Sequence, residues 1–316
     1  MPRRSAARVM WPSCAIATKA WSRRSSSIEI PQRYGNSSFM AFEIIARSTY
    51  AAAHANPPEE HTMTWSAQKY STFEQERTRP VRDLVAAIPT ETVHRAIDLG
   101  CGPGNSTEVL AARFPQAQVS GVDSSDDMVA AARRRLPALD FSLADIGAWQ
   151  PAQPFDVILA NAALQWLPDH ATLYPHLARQ LVPGGSLAIQ TPDNLEEPAH
   201  RLARQTAAEG PWAARIGEVK HPARHSAAFY YQLLRPHCSH VDVWRTTYFH
   251  PLAGGPSAVV EWFEGSALRP YLGPLDPEEK AGFLARYLAA VTEAYPPLAD
   301  GTVLLPFPRL FIVAVR

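Results

Sequence analysis

The run Arg95-Ala-Ile-Asp-Leu-Gly-Cys-Gly-Pro-Gly104 constrains this chain more than any other feature. It reads as a short buried strand that enters a glycine turn and then, with Asn105-Ser106 placed as caps, a helix through Phe114. The pattern recurs. Gln118 to Val122 is a strand ending at Asp123, and Ser124 or Ser125 caps a helix through Arg135 whose first turn carries Asp126 and Asp127. Asp140 to Leu143, Phe155 to Ala160 and Ser186 to Gln190 read as further strands, with a helix over Leu173 to Leu181. Strands alternating with helices predict an α/β fold with a parallel, doubly wound sheet and a ligand site at the carboxyl ends of its strands. Ahead of them, Tyr70 to Ile88 has the helical period, broken near Pro80 and ended by Pro89.

The turn is not the dinucleotide fingerprint G-x-G-x-x-G. An acid, Asp98, stands two residues before Gly100, and position 105 is not glycine. A pyrophosphate is favoured by backbone N–H groups without a carboxylate beside them, whereas a ligand carrying an ammonium and a sulfonium tolerates Asp98. Glycines let the chain approach that ligand closely. At the end of the next strand Asp123 is placed to accept from both ribose hydroxyls, a role that would equally suit NAD. Asp145, just after the third strand, can accept from an adenine amino group, with Ile146 or Met128 packing on the ring.

In Asp98-Leu-Gly-Cys-Gly-Pro-Gly104, Gly121-Val-Asp123 and Ala144-Asp145-Ile146 the chain resembles the Rossmann-like class I S-adenosylmethionine-dependent methyltransferases. The resemblance implies a mostly parallel seven-stranded sheet with helices on both faces, and helical insertions covering the acceptor site. It also implies S-adenosylmethionine as cofactor, S-adenosylhomocysteine as product, and no metal. The cofactor residues it points to are Asp98, Gly100, Cys101, Gly102, Gly104, Asn105, Asp123, Ser124, Met128, Asp145, Ile146 and Asn161; the Cys101 side chain itself reads as packing. The Asn-Pro-Pro-Tyr-like strand end with which nucleic-acid amino-methyltransferases grip a flipped base is absent, since this strand ends Ala160-Asn161-Ala-Ala-Leu-Gln-Trp166.

Composition narrows the partners. Lys+Arg and Asp+Glu are both 30, so no global field favours nucleic acid or an anionic membrane. Cys14, Cys101 and Cys238 are too few and too scattered for a disulfide framework or a zinc site, which suits a reducing cytoplasm. The apolar stretch Val303 to Val315 is interrupted by Pro306, Pro308 and Arg309, well short of the roughly 18 residues a membrane helix needs. Residues 1–62 stand apart: Ser-rich, with eight basic residues against four acids and no sustained period. They read as a disordered or spurious extension, with Met63 as a natural start; a transit or signal peptide is the alternative.

The remaining 63–316 reads as one methyltransferase domain, with 64–192 holding the cofactor and 193–316 supplying the acceptor site and lid. Residues 193–240 carry helical patches broken by Pro198, Pro211 and Pro222. Val241 to Phe249 and Leu310 to Val315 read as strands of a closing antiparallel pair, with helices over Ser257 to Leu268 and Pro277 to Ala294 between them. The stretches Phe73-Glu-Gln-Glu-Arg-Thr-Arg-Pro80, Ala163-Leu-Gln-Trp-Leu-Pro-Asp-His170, Gln190-Thr-Pro-Asp-Asn194, Val243-Trp-Arg-Thr-Thr-Tyr248, Leu268-Arg-Pro-Tyr271 and Phe307-Pro-Arg-Leu-Phe-Ile-Val313, in that order, resemble the trans-aconitate 2-methyltransferase family. This resemblance implies methylation of one carboxylate of a small tricarboxylate in the cytoplasm, and a monomer.

An ionised carboxylate is already a nucleophile, so no catalytic base is expected; catalysis rests on positioning, with Asn161 and Trp166 nearest the methyl. Carboxylates that do not react need cations, and the candidates are Arg77, Arg79, Arg245, Arg269 and Arg309, with Tyr248 as a donor. His170 and His250 read as structural. Two alternatives stay open at this point: the same fold acting on another small acceptor, and a non-catalytic S-adenosylmethionine-binding protein; a dehydrogenase is more remote.

Overall fold

The computed structural model describes residues 74–221 and 224–316, except for the side chains of 74–77, all within the unit Met63–Arg316. The expectations for residues 1–62, the start of the first helix and the Arg77 side chain lie outside the described residues. Seven strands form one sheet in the order β3-β2-β1-β4-β5-β7-β6. These are β1 (Arg95–Leu99), β2 (Gln118–Asp123), β3 (Asp140–Leu143), β4 (Phe155–Asn161), β5 (Leu181–Pro192), β6 (His240–Leu252) and β7 (Val303–Val315). Strands β1 to β5 pair in parallel, and β7 runs antiparallel between β5 and β6. The order reverses between β1 and β4, which opens a crevice at their carboxyl ends.

The helices are α1 (Glu74–Ala86), α2 (Asn105–Arg113), α3 (Asp126–Arg135), α4 (His170–Arg179), α5 (Pro198–Glu209), α6 (Ala213–Ile216), α7 (Ala227–Leu234), α8 (Pro256–Glu264), α9 (Arg269–Leu272) and α10 (Pro277–Ala294). Several differ from the sequence reading. Helix α1 continues through Pro80 instead of breaking there, and its apolar stripe Val81, Leu84, Val85 is buried against the sheet. Burial of that stripe offsets the missing backbone hydrogen bond. Pro198, Pro256 and Pro277 begin helices, because the N–H that proline lacks has no helical partner in the first turn anyway. The helix expected over Leu173 to Leu181 begins at His170, with the Asp169 carboxylate accepting from Thr172 N–H, and gives way to β5 at Leu181. Strand β5 pairs Leu181 with Phe155, then resumes at Ser186 opposite Val157, so Pro183-Gly-Gly185 lies within an irregularity of the strand.

Two apolar clusters sandwich the sheet. On one face α1 and α2 cover Ala96, Val157, Leu159, Ala188, Phe311 and Val313; on the other α4 and α7 cover Ile97, Ile158, Leu187, Ile189 and Ile312. A third cluster belongs to the cover. Helices α5, α8 and α10 pack Val259, Trp262, Phe263, Phe283 and Tyr287 against Leu252, Val303, Leu305 and Phe307 at the ends of β6 and β7. Strand β5 pairs β7 only over 309–315, so residues 303–308, still paired to β6, run past the sheet on the carboxyl side. At about 3.4 Å per residue this ribbon projects roughly 20 Å, and the helices of the third cluster pack on it. Among the described residues no helix is long and apolar enough to cross a membrane.

Candidate functional site

The glycine turn is built as its composition requires. Gly100, Gly102 and Gly104 all have positive φ, 74°, 52° and 94°, a region costly for residues with a Cβ. At Gly100 a Cβ would lie 2.4 Å from the Ala163 Cβ and 3.5 Å from Ile146, so β1, the turn after β4 and the turn after β3 converge on a single hydrogen atom. At Gly102 a Cβ would meet nothing within 4 Å, which leaves that side of the turn open to a ligand. Helix α2 is capped by Gly104 in the left-handed region, with no side-chain bond, rather than by Asn105 or Ser106. Ser106 has other work. Its hydroxyl and that of Thr107 both donate to Asp98 Oδ2 at 2.7 Å.

Asp98 is fully buried, and its Oδ1 has no hydrogen-bond partner. Burial raises its pKa to about 6, against the two hydroxyl bonds that lower it and with the negative Asp123 nearby raising it further. An ammonium group is the partner that such an oxygen lacks, so the residues present fit a ligand with a positively charged amino group. The folded-state pKa lies above the ordinary 3.8, so Asp98 contributes stability that is complete below about pH 4 and is lost as pH rises through about 6. Charged Asp98 then costs a few kcal/mol at neutral pH. Asp98→Asn, which keeps an acceptor for both hydroxyls, should melt higher than the parent at pH 7.5 without cofactor. The difference should shrink toward pH 5, and S-adenosylhomocysteine binding should fall at least tenfold; a pH-independent difference in Tm contradicts the assignment.

The other expected cofactor residues fall around the same crevice. Asp123 ends β2 and is partly exposed; its oxygens accept from Gly102 N–H at 2.9 Å and Ser125 N–H at 3.0 Å, and a carboxylate has lone pairs left for ribose hydroxyls. Asp145 is exposed and accepts from Gly147 N–H at 2.8 Å, capping a single 3₁₀ turn over Ile146–Ala148. Ile146 and Met128 are buried, and Ser124 is exposed. Ser125 occupies the cap position of α3 without a side-chain bond. Cys101 is buried, and desolvation and the nearby Asp98 push its thiol upward, which suits packing.

The expected acceptor residues divide by strand parity. Asp98 pairs with Leu159, Asn161 with Gln190, Gln190 with Phe311, and Thr246 with Arg309, so Asp98, Asn161, Gln190, Arg309 and Tyr248 share the face that α1 covers. Arg309 is 4% exposed and donates to Gln190 Oε1 at 3.1 Å, while Arg79 lies over the Tyr248 ring at 5.5 Å. Asn161 Oδ1 and Gln190 Nε2 are both buried without a hydrogen-bond partner. Gln190 was not named as a site residue from sequence; its signals were its place at the end of a strand and at the head of the stretch Gln190-Thr-Pro-Asp-Asn194.

Arg245 is three residues from Tyr248, an odd spacing, and therefore points to the opposite face, opposite Leu310. There its Nε lies 2.8 Å from the Asp193 carboxylate, so it is not brought into the acceptor cluster. Arg269 is exposed at the start of the short α9, and among the described residues no hydrogen bond or ion pair joins it to that cluster. Trp166 is half exposed on the 3₁₀ turn Leu164–Trp166. His170 is buried, bonded to Tyr230 Oη and the Leu164 carbonyl, and His250 stacks on Trp262, which are structural placements.

The Tyr248 phenol donates to Asp83 Oδ2 at 2.6 Å and ties α1 to β6; burial and that carboxylate push its pKa upward. Tyr248→Phe should cost about 1–2 kcal/mol, read as a Tm lower by several degrees, with cofactor affinity retained. An unchanged Tm would remove the bond from the stability of the fold.

The comparisons agree with this fold. Residues 96–185 match a family described as a methyltransferase domain. The YcgJ protein of Bacillus subtilis superposes with a TM-score of 0.50 at 14% identity, covering 75% of this chain and 98% of that one, which establishes a shared fold. Trans-aconitate 2-methyltransferase of Methylobacterium nodulans is 56% identical over 254 residues, 80% of this chain and 98% of that protein. The enzyme of the same name from an Azoarcus species is 52% identical over 254 residues, with 99% of its length covered. Identity at this level along nearly the whole of those relatives means that the chain belongs to the trans-aconitate 2-methyltransferase family.

Proposed function

We propose that the chain transfers a methyl group from S-adenosylmethionine to a carboxylate of trans-aconitate, giving the monomethyl ester and S-adenosylhomocysteine. One observation carries the reading: 56% identity across 98% of a relative bearing that name. The cofactor, when bound, supplies an electrophilic methyl on a sulfonium. On this reading Asp98 meets the ammonium, Asp123 the ribose, and Asp145 with Ile146 and Met128 the adenine. The glycine turn lets backbone approach where side chains could not.

The acceptor needs no base, because a carboxylate is ionised at neutral pH. The protein then has to strip water from that carboxylate and hold it in line with the methyl. Asn161 and Gln190 pair at the carboxyl ends of β4 and β5 and have buried amide atoms that lack hydrogen-bond partners, which supports reading them as the residues nearest the meeting of the two ligands. Arg309, shielded from water at the root of the projecting ribbon, can grip a carboxylate that does not react, with Arg79 at the rim. The domain is taken as 63–316, with 64–192 for the cofactor and 193–316 for the acceptor, acting as a monomer in the cytoplasm.

The test is methyl transfer from radiolabelled S-adenosylmethionine to trans-aconitate, with cis-aconitate, isocitrate and citrate in parallel. Selective formation of a trans-aconitate monoester is expected. Absence of transfer to trans-aconitate, with S-adenosylhomocysteine still bound, would return the acceptor to an open screen.

A further inference from the structure

The polar side chains at the carboxyl ends of the strands change character across the sheet. Asp98 on β1, Asn161 on β4, Gln190 on β5 and Arg309 on β7 share one face, and these four strands are neighbours in that order. With about 4.8 Å between adjacent strands, the four form a row. The row climbs outward: Asn161 is two residues beyond Leu159, the partner of Asp98, and Arg309 pairs with Pro192, two residues beyond Gln190. Its first two members offer acceptors, since Asp98 Oδ1 and Asn161 Oδ1 are buried without a hydrogen-bond partner. Its last two offer donors. Gln190 Nε2 is buried without a partner, and a guanidinium such as that of Arg309 can only donate. A wall that runs from oxygen to N–H suits a cation over β1 and β4 and an anion over β5 and β7.

The neighbour of Gln190 fixes which way its amide points. A guanidinium cannot accept, so the atom 3.1 Å from Arg309 Nη1 is the Gln190 oxygen, and the NH2 group faces elsewhere. Arg309 is itself seated over the Phe307 ring at 4.9 Å. Gln190 and Asn161 are register partners, yet the Gln190 donor and the Asn161 acceptor are not bonded to each other. Gln190 is also fully buried, so bulk water does not serve its N–H groups. A buried donor without a partner destabilises the unliganded fold, and a ligand oxygen that meets it completes the bond away from water, where the bond is strongest.

We infer that the Gln190 NH2 group is the donor that holds the carboxylate to be methylated, leaving Arg309 to a carboxylate that does not react. This rests on the reading of the acceptor given above. On β5 the donor stands between Asn161, on the cofactor side, and Arg309, so the carboxylate it meets is the one nearest the methyl. The reaction itself gives a reason for a neutral amide at that place. One carboxylate oxygen bonds to the methyl carbon, the electron pair of the carbon–sulfur bond stays on sulfur, and a negative and a positive charge disappear together. A cation clasping that carboxylate would lose its attraction on the way to the transition state and would slow the step. An amide N–H orients one oxygen through a weaker bond and leaves the other to react.

The experiment uses the full chain saturated with S-adenosylhomocysteine and follows two ligands by calorimetry: trans-aconitate, and its monomethyl ester collected from the parent reaction. Gln190→Glu keeps an oxygen for Arg309 but puts negative charge where the NH2 donor was. It is expected to weaken trans-aconitate binding about 100-fold or more, and binding of the monoester, whose reacted carboxylate carries no charge, less than about tenfold. S-adenosylhomocysteine affinity should stay within about threefold, which shows that the variant is folded. Gln190→Met removes the donor without adding charge; it should weaken trans-aconitate binding about tenfold and guards against a folding defect in the first variant. If Gln190 only props Arg309, Gln190→Glu keeps its affinity for trans-aconitate, which overturns the assignment. Equal losses for acid and ester overturn it too, because the carboxylate met would then be one that does not react. A parent that neither binds nor methylates trans-aconitate overturns the acceptor reading and the role of Gln190 with it.

Discussion

Gly100→Ala is expected to weaken S-adenosylhomocysteine binding about 100-fold or more, and to abolish measurable methyl transfer, in a protein that still folds. Two costs combine. A left-handed backbone at φ 74° is about 1–2 kcal/mol worse for alanine than for glycine. The added methyl would stand 2.4 Å from the Ala163 Cβ, well inside van der Waals contact, so the β4 turn or the glycine turn must move. Either movement displaces the backbone that faces the ligand, because Gly100 and Cys101 N–H groups are both held to the Val122 carbonyl, at 2.8 and 2.9 Å. The two costs separate in a double variant. Gly100→Ala with Ala163→Gly removes the clash but not the backbone strain, and should regain about tenfold of the lost affinity, worth about 1.4 kcal/mol. Titration calorimetry of the three proteins decides it; if Ala163→Gly gives no recovery, the contact between the turns is not what limits binding.

The second large effect is expected at Arg309. Arg309→Met should lower kcat/KM for trans-aconitate by about 100-fold or more while leaving S-adenosylhomocysteine affinity within about twofold. A guanidinium holding a carboxylate away from water contributes about 2–5 kcal/mol when one partner is truncated, far more than an exposed pair. Arg309 meets that condition at 4% exposure, whereas Arg245 is half exposed and already paired with Asp193. Arg245→Met is therefore the internal comparison, with less than fivefold expected in kcat/KM. Equal losses for the two variants would contradict the division of the acceptor residues by face. Loss of cofactor affinity in Arg309→Met would instead indicate that the Arg309–Gln190 bond holds the strand ends in place.

Much of the sheet from β1 to β4 was legible because its signals are local. A glycine at Gly100, Gly102 or Gly104 advertises a backbone that other residues avoid, and an acid at a strand end advertises the crevice. The helix starts were less legible: Asn105 and Ser106 look like caps, yet Gly104 takes the cap and Ser106 turns inward to Asp98. A buried carboxylate competes for the hydroxyl, and nothing in the local sequence reports that competition. Pro80 misled for a similar reason, since packing of Val81, Leu84 and Val85 carries α1 across it.

What the sequence by itself determined is the alternation of strands and helices, the glycine turn and its two strand-end acids, and hence the fold and the kind of cofactor. These depend on periods and spacings within a few residues, which physical chemistry reads without knowing where the rest of the chain lies. Tertiary structure alone decided which of the expected acceptor residues share a face. The antiparallel register of β5, β6 and β7 brings Gln190 to Arg309 and Tyr248 to the same face, and the same register turns Arg245 away. The segment leading into α7 brings Arg224 to the turn after β4, 59 residues from Gln165 in sequence. A contact between distant segments depends on register and on which face a residue occupies, and a shift of one residue reverses the face. That choice is made by the burial of whole strands against two helical layers, not by the residues that form the site.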